Sequence, residues 1–285
     1  MFTLKAPAKI NWSLEVFGKR ADGYHDILSL MQCVTLSDSL VFEPCDTLEV
    51  ITSALIPPAG NLVYRAMELL KERTGIGKGA RITLEKQIPM AAGLGGGSSD
   101  AASALKGLNR LWGLGLTAQE LQQTGEALGS DVPFFLYGDA AVVQGRGEAV
   151  SPVRLERSHA LLLVNPRVEV STTWAYAERE KEPFRAVLTK KDNNIKLLCQ
   201  ALERGDFPVV SSVRKNDLET LVARRYPVIT EIKEILRGRG ALFSAMSGSG
   251  PTVYGVFPAE EDAQKAIEHL LPHWCRVART VTSDA

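Results

Sequence analysis

The residues Pro89-Met90-Ala91-Ala92-Gly93-Leu94-Gly95-Gly96-Gly97-Ser98-Ser99-Asp100 place four glycines and two serines between two different periodicities. Before them, Arg81-Ile82-Thr83-Leu84-Glu85-Lys86 alternates polar and apolar side chains as a strand does; after them an Ala-rich run predicts a helix to about Trp112. Strand, glycine loop and helix start, in that order, build an anion site. Gly93, Gly95, Gly96 and Gly97 let the backbone turn tightly and approach a ligand closely. The first N–H groups of the helix have no partner within it, and the positive end of its dipole lies behind them. Ser98 and Ser99 add hydroxyls, and either is placed to cap the helix. The ligand predicted is one that carries phosphate.

Two common phosphate loops do not account for the pattern. A Walker loop needs Lys-Ser/Thr after its last glycine, whereas Gly97 is followed by Ser98-Ser99. A dinucleotide fingerprint needs G-x-G-x-x-G, and Gly93-Leu94-Gly95-Gly96-Gly97-Ser98 lacks the final glycine. A merely flexible surface loop is the remaining alternative. Three consecutive glycines running into Ser-Ser-Asp and a helix argue instead for close backbone approach.

Other residues with chemistry to offer are spread along the chain. Residues 9–17 alternate as a half-buried strand, so Lys9 and Asn11 project from one face, roughly 6–7 Å apart along it. An ammonium beside an amide suits an oxyanion or a sugar hydroxyl; a solvated strand face is the plainer reading. The turn Gly18-Lys19-Arg20-Ala21-Asp22-Gly23 delivers Tyr24 and His25, a ring pair able to stack on and hydrogen-bond to a flat heterocycle, or simply to pack. Asp131 stands between Gly129-Ser130 and the apolar Val132-Pro133-Phe134-Phe135, a setting that partly buries a carboxylate. It is either a reactive group or the N-cap of the segment after it. Ser247-Gly248-Ser249-Gly250-Pro251 is longer than a minimal hairpin turn, and its small residues suit contact with another backbone or a phosphate.

The elements that must position these groups follow from the rest of the chain. With 285 residues, 45% of them hydrophobic, there is material for a large core and for two domains. Lys+Arg and Asp+Glu both number 33, so the basic excess usual for nucleic-acid or membrane-surface partners is absent. Four scattered cysteines without a C-x-x-C read as reduced thiols, mostly buried, in a cytoplasmic protein. No stretch approaches the ~18 apolar residues of a membrane span. His269 and His273 have a metal-like spacing, but Pro272 breaks the helix between them. Strands precede a strand-loop-helix-helix run in the first part, with Asn61 capping one helix and Thr117–Glu120 forming a capping box for another. A composition shift over 151–158 divides residues 1–153 from 154–285. Beyond it, setting extra helices aside, the order is β-α-β-β-α-β, the ferredoxin-like split unit. The fold class predicted is α+β.

Taken in order, Pro7–Asn11, Gly18–His25, Pro89–Asp100, Asp131–Phe135 and Ser247–Pro251 resemble the GHMP kinase superfamily over nearly the whole chain. The two glycine-containing loops carry the class. The stretch Gly18 to His25 selects a branch whose acceptor is the methylerythritol part of a cytidine diphosphate conjugate. The resemblance implies an N-terminal α/β domain with the phosphate loop, a C-terminal ferredoxin-like domain and an active site in the cleft between them. It implies ATP with Mg²⁺, ATP phosphates on Pro89–Ser99, Asp131 as catalytic base and Lys9 as the charge that steadies the attacking oxygen. Asn11, Tyr24 and His25 would meet the cytidine end, with Tyr176 as a second ring on the base; the protein ligand of the metal is left open, with Ser98 and Ser99 as candidates beside phosphate and water. A homoserine, mevalonate or sugar kinase, or a silent ligand-binding relative, are the alternatives that Tyr24-His25, Lys9 and Asp131 argue against.

Overall fold

The computed structural model describes residues 1–53, 57, 60–183 and 191–282. The predicted loop at 57–60 falls partly outside the described residues. The chain divides into two compact units, interleaved in sequence: one of Met1–Ala8, Leu36–Met90 and Gly95–Gly138, the other of Lys9–Thr35, Ala91–Leu94 and Asp139–Ala285. A cut by chain order after residue 153 is a different division, because residues 9–35 and 91–94 fold with the later chain.

In the first unit, the end of β2 (His25–Cys45) pairs antiparallel with β4 (Gly79–Glu85), from Ser39 opposite Glu85 to Cys45 opposite Gly79. The short β3 (Leu48–Thr52) pairs parallel with β4 on its other side. Helix α1 (Leu62–Thr74) starts where expected: Asn61 Oδ1 accepts from Val63 N at 2.9 Å, and Gly75 ends it at φ 66°. Helix α2 (Gly96–Trp112) lies across this sheet, close enough that a Cβ at Gly107 would fall 2.2 Å from Phe42 Cζ. Helix α3 (Ala118–Gly125) has the predicted capping box of Thr117 and Glu120, and α4 (Val132–Tyr137) packs its Phe134 into the core.

The cap of α2 departs from expectation. Gly95, at φ 71°, takes the N-cap position without a side-chain bond, and Ser98 and Ser99 lie inside the first turn. A glycine there leaves the N–H groups ahead of them uncovered by any capping side chain, which suits a ligand better than a serine cap does.

The second unit holds the rest of β1 (Phe2–Lys19) and the first half of β2, which pairs with β5 (Ala140–Gly145); β5 pairs in turn with β6 (Ala149–Pro152). A separate antiparallel sheet is built from β7 (Ala160–Asn165), β8 (Phe243–Met246), β9 (Val253–Phe257) and β10 (Trp274–Arg279), in the order β10-β7-β9-β8. That is the 4-1-3-2 order of the predicted ferredoxin-like unit. Its helices are α5 (Thr172–Glu180), α6 (Lys191–Arg204), α7 (Phe207–Val213), α8 (Glu219–Arg225), α9 (Val228–Gly238) and α10 (Glu260–Ala266). Helix α10 passes into a 3₁₀ turn, Ile267–His269, ahead of Pro272.

β1 corrects the expectation of a half-buried strand. Every residue from Ala8 to Phe17 is buried, on both faces. The polar face survives burial because its members bond one another and their neighbours. Asn11 Nδ2 donates to Ser29 Oγ at 2.8 Å, Ser29 Oγ donates to Ser13 O at 2.6 Å, and Lys215 Nζ lies 3.7 Å from Glu15 Oε2. The cysteines also differ: all four are free, but only Cys33 is buried. No described helix is long and apolar enough to cross a membrane.

Candidate active site

In the second unit, Lys9 is only 4% exposed, an ammonium that must be hydrogen-bonded to stay charged. Its Nζ donates to Asn11 Oδ1 at 2.6 Å. The Ser247–Pro251 loop, between β8 and β9, lies against the same pair. Asn11 N donates to Ser247 Oγ at 3.3 Å, and Ser247 Oγ donates to Gly93 O at 2.9 Å. Lys9 N donates to Leu94 O at 2.9 Å. Gly93, at φ 74°, is so close to the loop that a Cβ would lie 2.4 Å from Ser247 O. Close backbone approach, predicted from the glycines, is thus observed here, with the second glycine-rich loop as the partner.

A second group in this unit is aromatic. The rings of His25, from the start of β2, and Tyr176, on α5, are 5.3 Å apart at 36°. Tyr24 is half exposed, and the Arg146 guanidinium lies 5.3 Å from its ring centre. The turn before it is held by Asp22, which accepts from Arg20 and, at 3.1 Å, from Tyr24 N. His25 Nε2 lies 3.2 Å from Glu180 Oε1, which also accepts from Lys19 at 2.9 Å. Burial lowers the pKa of His25 below the ordinary imidazole value, against the pull of Glu180. At neutral pH the ring is therefore uncharged, with one nitrogen to donate and one to accept. His25 and Tyr176 lie together, while the described ring contact of Tyr24 is with Arg146. The Asn11 side chain accepts from Lys9 and donates to Ser29, and its backbone bonds Ser247 and Tyr254.

In the first unit, Asp131 occupies the N-cap position of α4, half-buried, but its side chain makes no capping bond. The turn leading to it is near the start of α2: a Cβ at Gly129 would lie 3.8 Å from Ser98 Oγ. Ser99 is fully buried, with its hydroxyl unpartnered by any described residue. Pro89, Met90 and Gly95–Gly97 lead into the same helix start. These uncapped N–H groups at the head of a 17-residue helix fit a phosphate. Among the described residues no group of three or more His, Cys, Asp and Glu could hold a metal.

Sequence reasoning missed the groups beneath this helix start. Lys86 Nζ donates to Asp38 Oδ2 and, at 2.6 Å, to Asp100 Oδ2. Asp38 Oδ1 accepts from Gln87 N and, at 2.9 Å, from Ile88 N, pinning the entry to the loop. Two buried carboxylates share one ammonium. Asp38 has the backbone donors, and burial with the charge of Asp38 pushes the Asp100 carboxyl up to about 7. Asp100 stood within the loop motif; its partners Asp38 and Lys86 are distant in sequence and carry no local signal.

A pH dependence follows from this cluster. Raised in the folded state, the Asp100 carboxyl stabilises the fold fully below about pH 4, and that stability is lost as pH rises through about 7. Asp100→Asn stays neutral throughout. Relative to the parent, the variant should gain stability between pH 4 and pH 8, by up to roughly 4 kcal/mol. Urea unfolding of both proteins across that range checks it; a stability difference that does not change with pH would show that Asp100 is ionised throughout.

Comparison with known proteins gives the class. The chain matches the family model for the GHMP kinases N terminal domain over residues 61–139 and that for the GHMP kinases C terminal over residues 188–276. It is 47% identical over 282 residues to the 4-diphosphocytidyl-2-C-methyl-D-erythritol kinase of Thermodesulfovibrio yellowstonii, covering 99% of this chain and 98% of that protein. With the kinase of the same name from Caldicellulosiruptor bescii the identity is 42% over 285 residues, covering 99% and 98%. A crystal structure of 4-(cytidine 5'-diphospho)-2C-methyl-D-erythritol kinase matches with a TM-score of 0.82 at 34% identity, over 97% of this chain and 99% of that one. A homoserine kinase from Cytophaga hutchinsonii, 22% identical, shares the fold with a TM-score of 0.73 over 98% of this chain and 94% of its own. With the ferredoxin-like sheet and the glycine loop in place, the chain belongs to the GHMP kinase superfamily and, within it, to the 4-diphosphocytidyl-2-C-methyl-D-erythritol kinases.

Proposed function

We propose that the protein transfers the γ-phosphoryl group of ATP to a hydroxyl of 4-diphosphocytidyl-2-C-methyl-D-erythritol, giving the 2-phosphate and ADP. The reaction is a step of the non-mevalonate route to isoprenoid precursors. Beyond family membership, the observation that carries the choice of acceptor is the ring pair of His25 and Tyr176, with the half-exposed Tyr24 next to His25 in the chain. Homoserine and mevalonate have no base for such rings to hold.

Phosphoryl transfer asks a protein for in-line positioning and for charge at the oxygens, and little covalent work. The loop Pro89–Ser99 receives the ATP phosphates on backbone N–H groups. Asp131 accepts the proton of the attacking hydroxyl as its oxygen bonds to the γ-phosphorus and the bond from that phosphorus to the ADP oxygen breaks. Lys9, oriented by Asn11, supplies positive charge at the attacking oxygen. A neutral His25, its Nε2 directed at Glu180, meets the base through its other nitrogen, with Tyr24 and Tyr176 as apolar walls. A hydroxyl of Ser98 or Ser99 would help to hold Mg²⁺ brought with the nucleotide, and the ion would offset phosphate charge.

Coupled ADP release tests the reading, with MgATP and equal concentrations of the cytidine conjugate, homoserine and mevalonate. Turnover is expected with the first alone; turnover with another acceptor would discard the ring group as the selector. Tyr24→Ala sharpens the test. Losing one stacked ring should raise the KM for the cytidine conjugate by roughly 5- to 100-fold, while the KM for ATP stays within about twofold. An equal rise in both would remove Tyr24 from the cytidine pocket.

A further inference from the structure

The segment Arg214–Asp217 between α7 and α8 has no part in the reading above, yet it reaches the Ser247–Pro251 loop. It lies along β1: Leu14 N donates to Lys215 O at 2.7 Å, Asp217 N to Leu14 O at 2.9 Å, and Val16 N to Asp217 Oδ2 at 2.9 Å. From this position the Asn216 carboxamide donates twice, to Met246 O at 3.1 Å and to Gly248 O at 3.0 Å. Those are the two carbonyls that flank Ser247. Its own oxygen accepts from Leu218 N at 3.1 Å. Glu219, one turn on, takes Met246 N at 3.0 Å and is itself held by Arg214 at 2.8 Å and by Lys233.

Two donors fixed on either side of one residue leave that residue little freedom. Ser247 is fully buried, and its hydroxyl joins Asn11 N to Gly93 O. The next residue, Gly248, has φ 57°, and a Cβ there would come within 3.2 Å of Asn11 Oδ1 and 3.4 Å of Lys9 Nζ. A shift of the loop backbone by a few tenths of an ångström therefore moves either the lysine and its amide or the Gly93 carbonyl. We propose that Asn216 is a positioning residue for phosphoryl transfer: its carboxamide clamps the backbone around Ser247, and through Ser247 fixes Lys9, Asn11 and the Gly93 turn relative to one another. The inference rests on the assignment of Lys9 and the glycine loop to the reaction.

Asn216→Asp isolates the clamp. The two side chains have the same shape, and an aspartate still accepts from Leu218 N. Both donors are lost, and a carboxylate faces two carbonyl oxygens. We expect kcat to fall tenfold or more with the KM for the cytidine conjugate within twofold, because the two donors of the Asn216 carboxamide go to Met246 O and Gly248 O in the loop beside Lys9 and Asn11. Circular dichroism should show a folded variant, and hydrogen exchange at Gly250 and Thr252 should rise about tenfold. Activity relative to the parent should recover in part as pH falls, because a protonated carboxyl regains one donor. Asn216→Ala, which removes both donors without adding charge, should lower kcat in the same direction. Lys9→Ala, measured beside them, separates the possible failures. Parent-like turnover in Lys9→Ala would overturn the site reading and this inference with it. Parent-like turnover in either folded Asn216 variant, beside an inactive Lys9→Ala, would overturn the inference alone. A fall in kcat with unchanged exchange at Gly250 and Thr252 would do the same.

Discussion

Asp131→Asn should yield a folded protein whose kcat has dropped by about a hundred- to ten-thousandfold, the range a positioned general base contributes. Size is conserved, so the packing of Val132, Phe134 and Phe135 in α4 has no reason to change. No capping bond is lost either: Asp131 occupies the N-cap position without one, and asparagine is itself among the better N-cap residues. What the substitution removes is the capacity to take a proton at neutral pH. ATP binding should persist, since the N–H groups at the head of α2 are untouched. Coupled ADP release gives kcat, a thermal melt shows the fold, and nucleotide titration gives the affinity. Turnover within threefold of the parent would take Asp131 out of the mechanism. Loss of nucleotide binding together with turnover would make it a structural residue of the turn.

Asp131 stands out in the sequence because of its neighbours, a glycine turn before it and an apolar run after it, though the same setting suits an N-cap, the position it occupies at α4. Local signals of this kind served well elsewhere. The caps at Asn61 and Thr117, the stop at Gly75 and the glycine loop itself are set by residues within a few positions of one another. The split β-α-β-β-α-β order could be read because each strand was an apolar run bounded by turn residues. Helix α7 was not read, although Asp206 caps it by accepting from Val209 N at 3.2 Å and Pro208 lies in its first turn, because seven residues are too few to show a helical period. The burial of both faces of β1 was hidden for a different reason. Lys9, Asn11, Ser13 and Glu15 look solvated until their partners are known, and those partners include Ser29, Lys215 and Ser247. The Lys86 cluster and the Asn216 clamp are likewise pairings across 14 to 50 positions in the chain. A single sequence records side-chain types at each such position, but not which of them meet.

Gly93→Ala should cripple the enzyme, with kcat/KM for ATP down a hundredfold or more and a clear loss of thermal stability. Two effects combine in this substitution, and a control separates them. The first is conformational: at φ 74° an alanine is strained by about 1–2 kcal/mol. Gly115, at φ 68° with nothing within 4 Å of its would-be Cβ, carries the same penalty and no other. Gly115→Ala should therefore lose roughly 1 kcal/mol of stability with turnover unchanged. The second effect belongs to Gly93 alone. Its Cβ would meet Ser247 O at 2.4 Å and Gly250 O at 2.9 Å, and both are backbone atoms that cannot swing aside as a side-chain end does. The Gly93 segment and the Ser247 loop must separate, breaking the bond from Ser247 Oγ to Gly93 O and disturbing the one from Thr252 N to Ala92 O. If the glycine loop cradles the ATP phosphates, that displacement falls on the phosphates. The decisive comparison is the KM for ATP and kcat of the two alanine variants beside their melting temperatures. A larger stability loss at Gly93 than at Gly115, with activity lost only at Gly93, would tie the cradle to this contact. A Gly93→Ala enzyme with parent-like kcat and ATP affinity would mean that the contact is packing, and that the phosphates are held elsewhere.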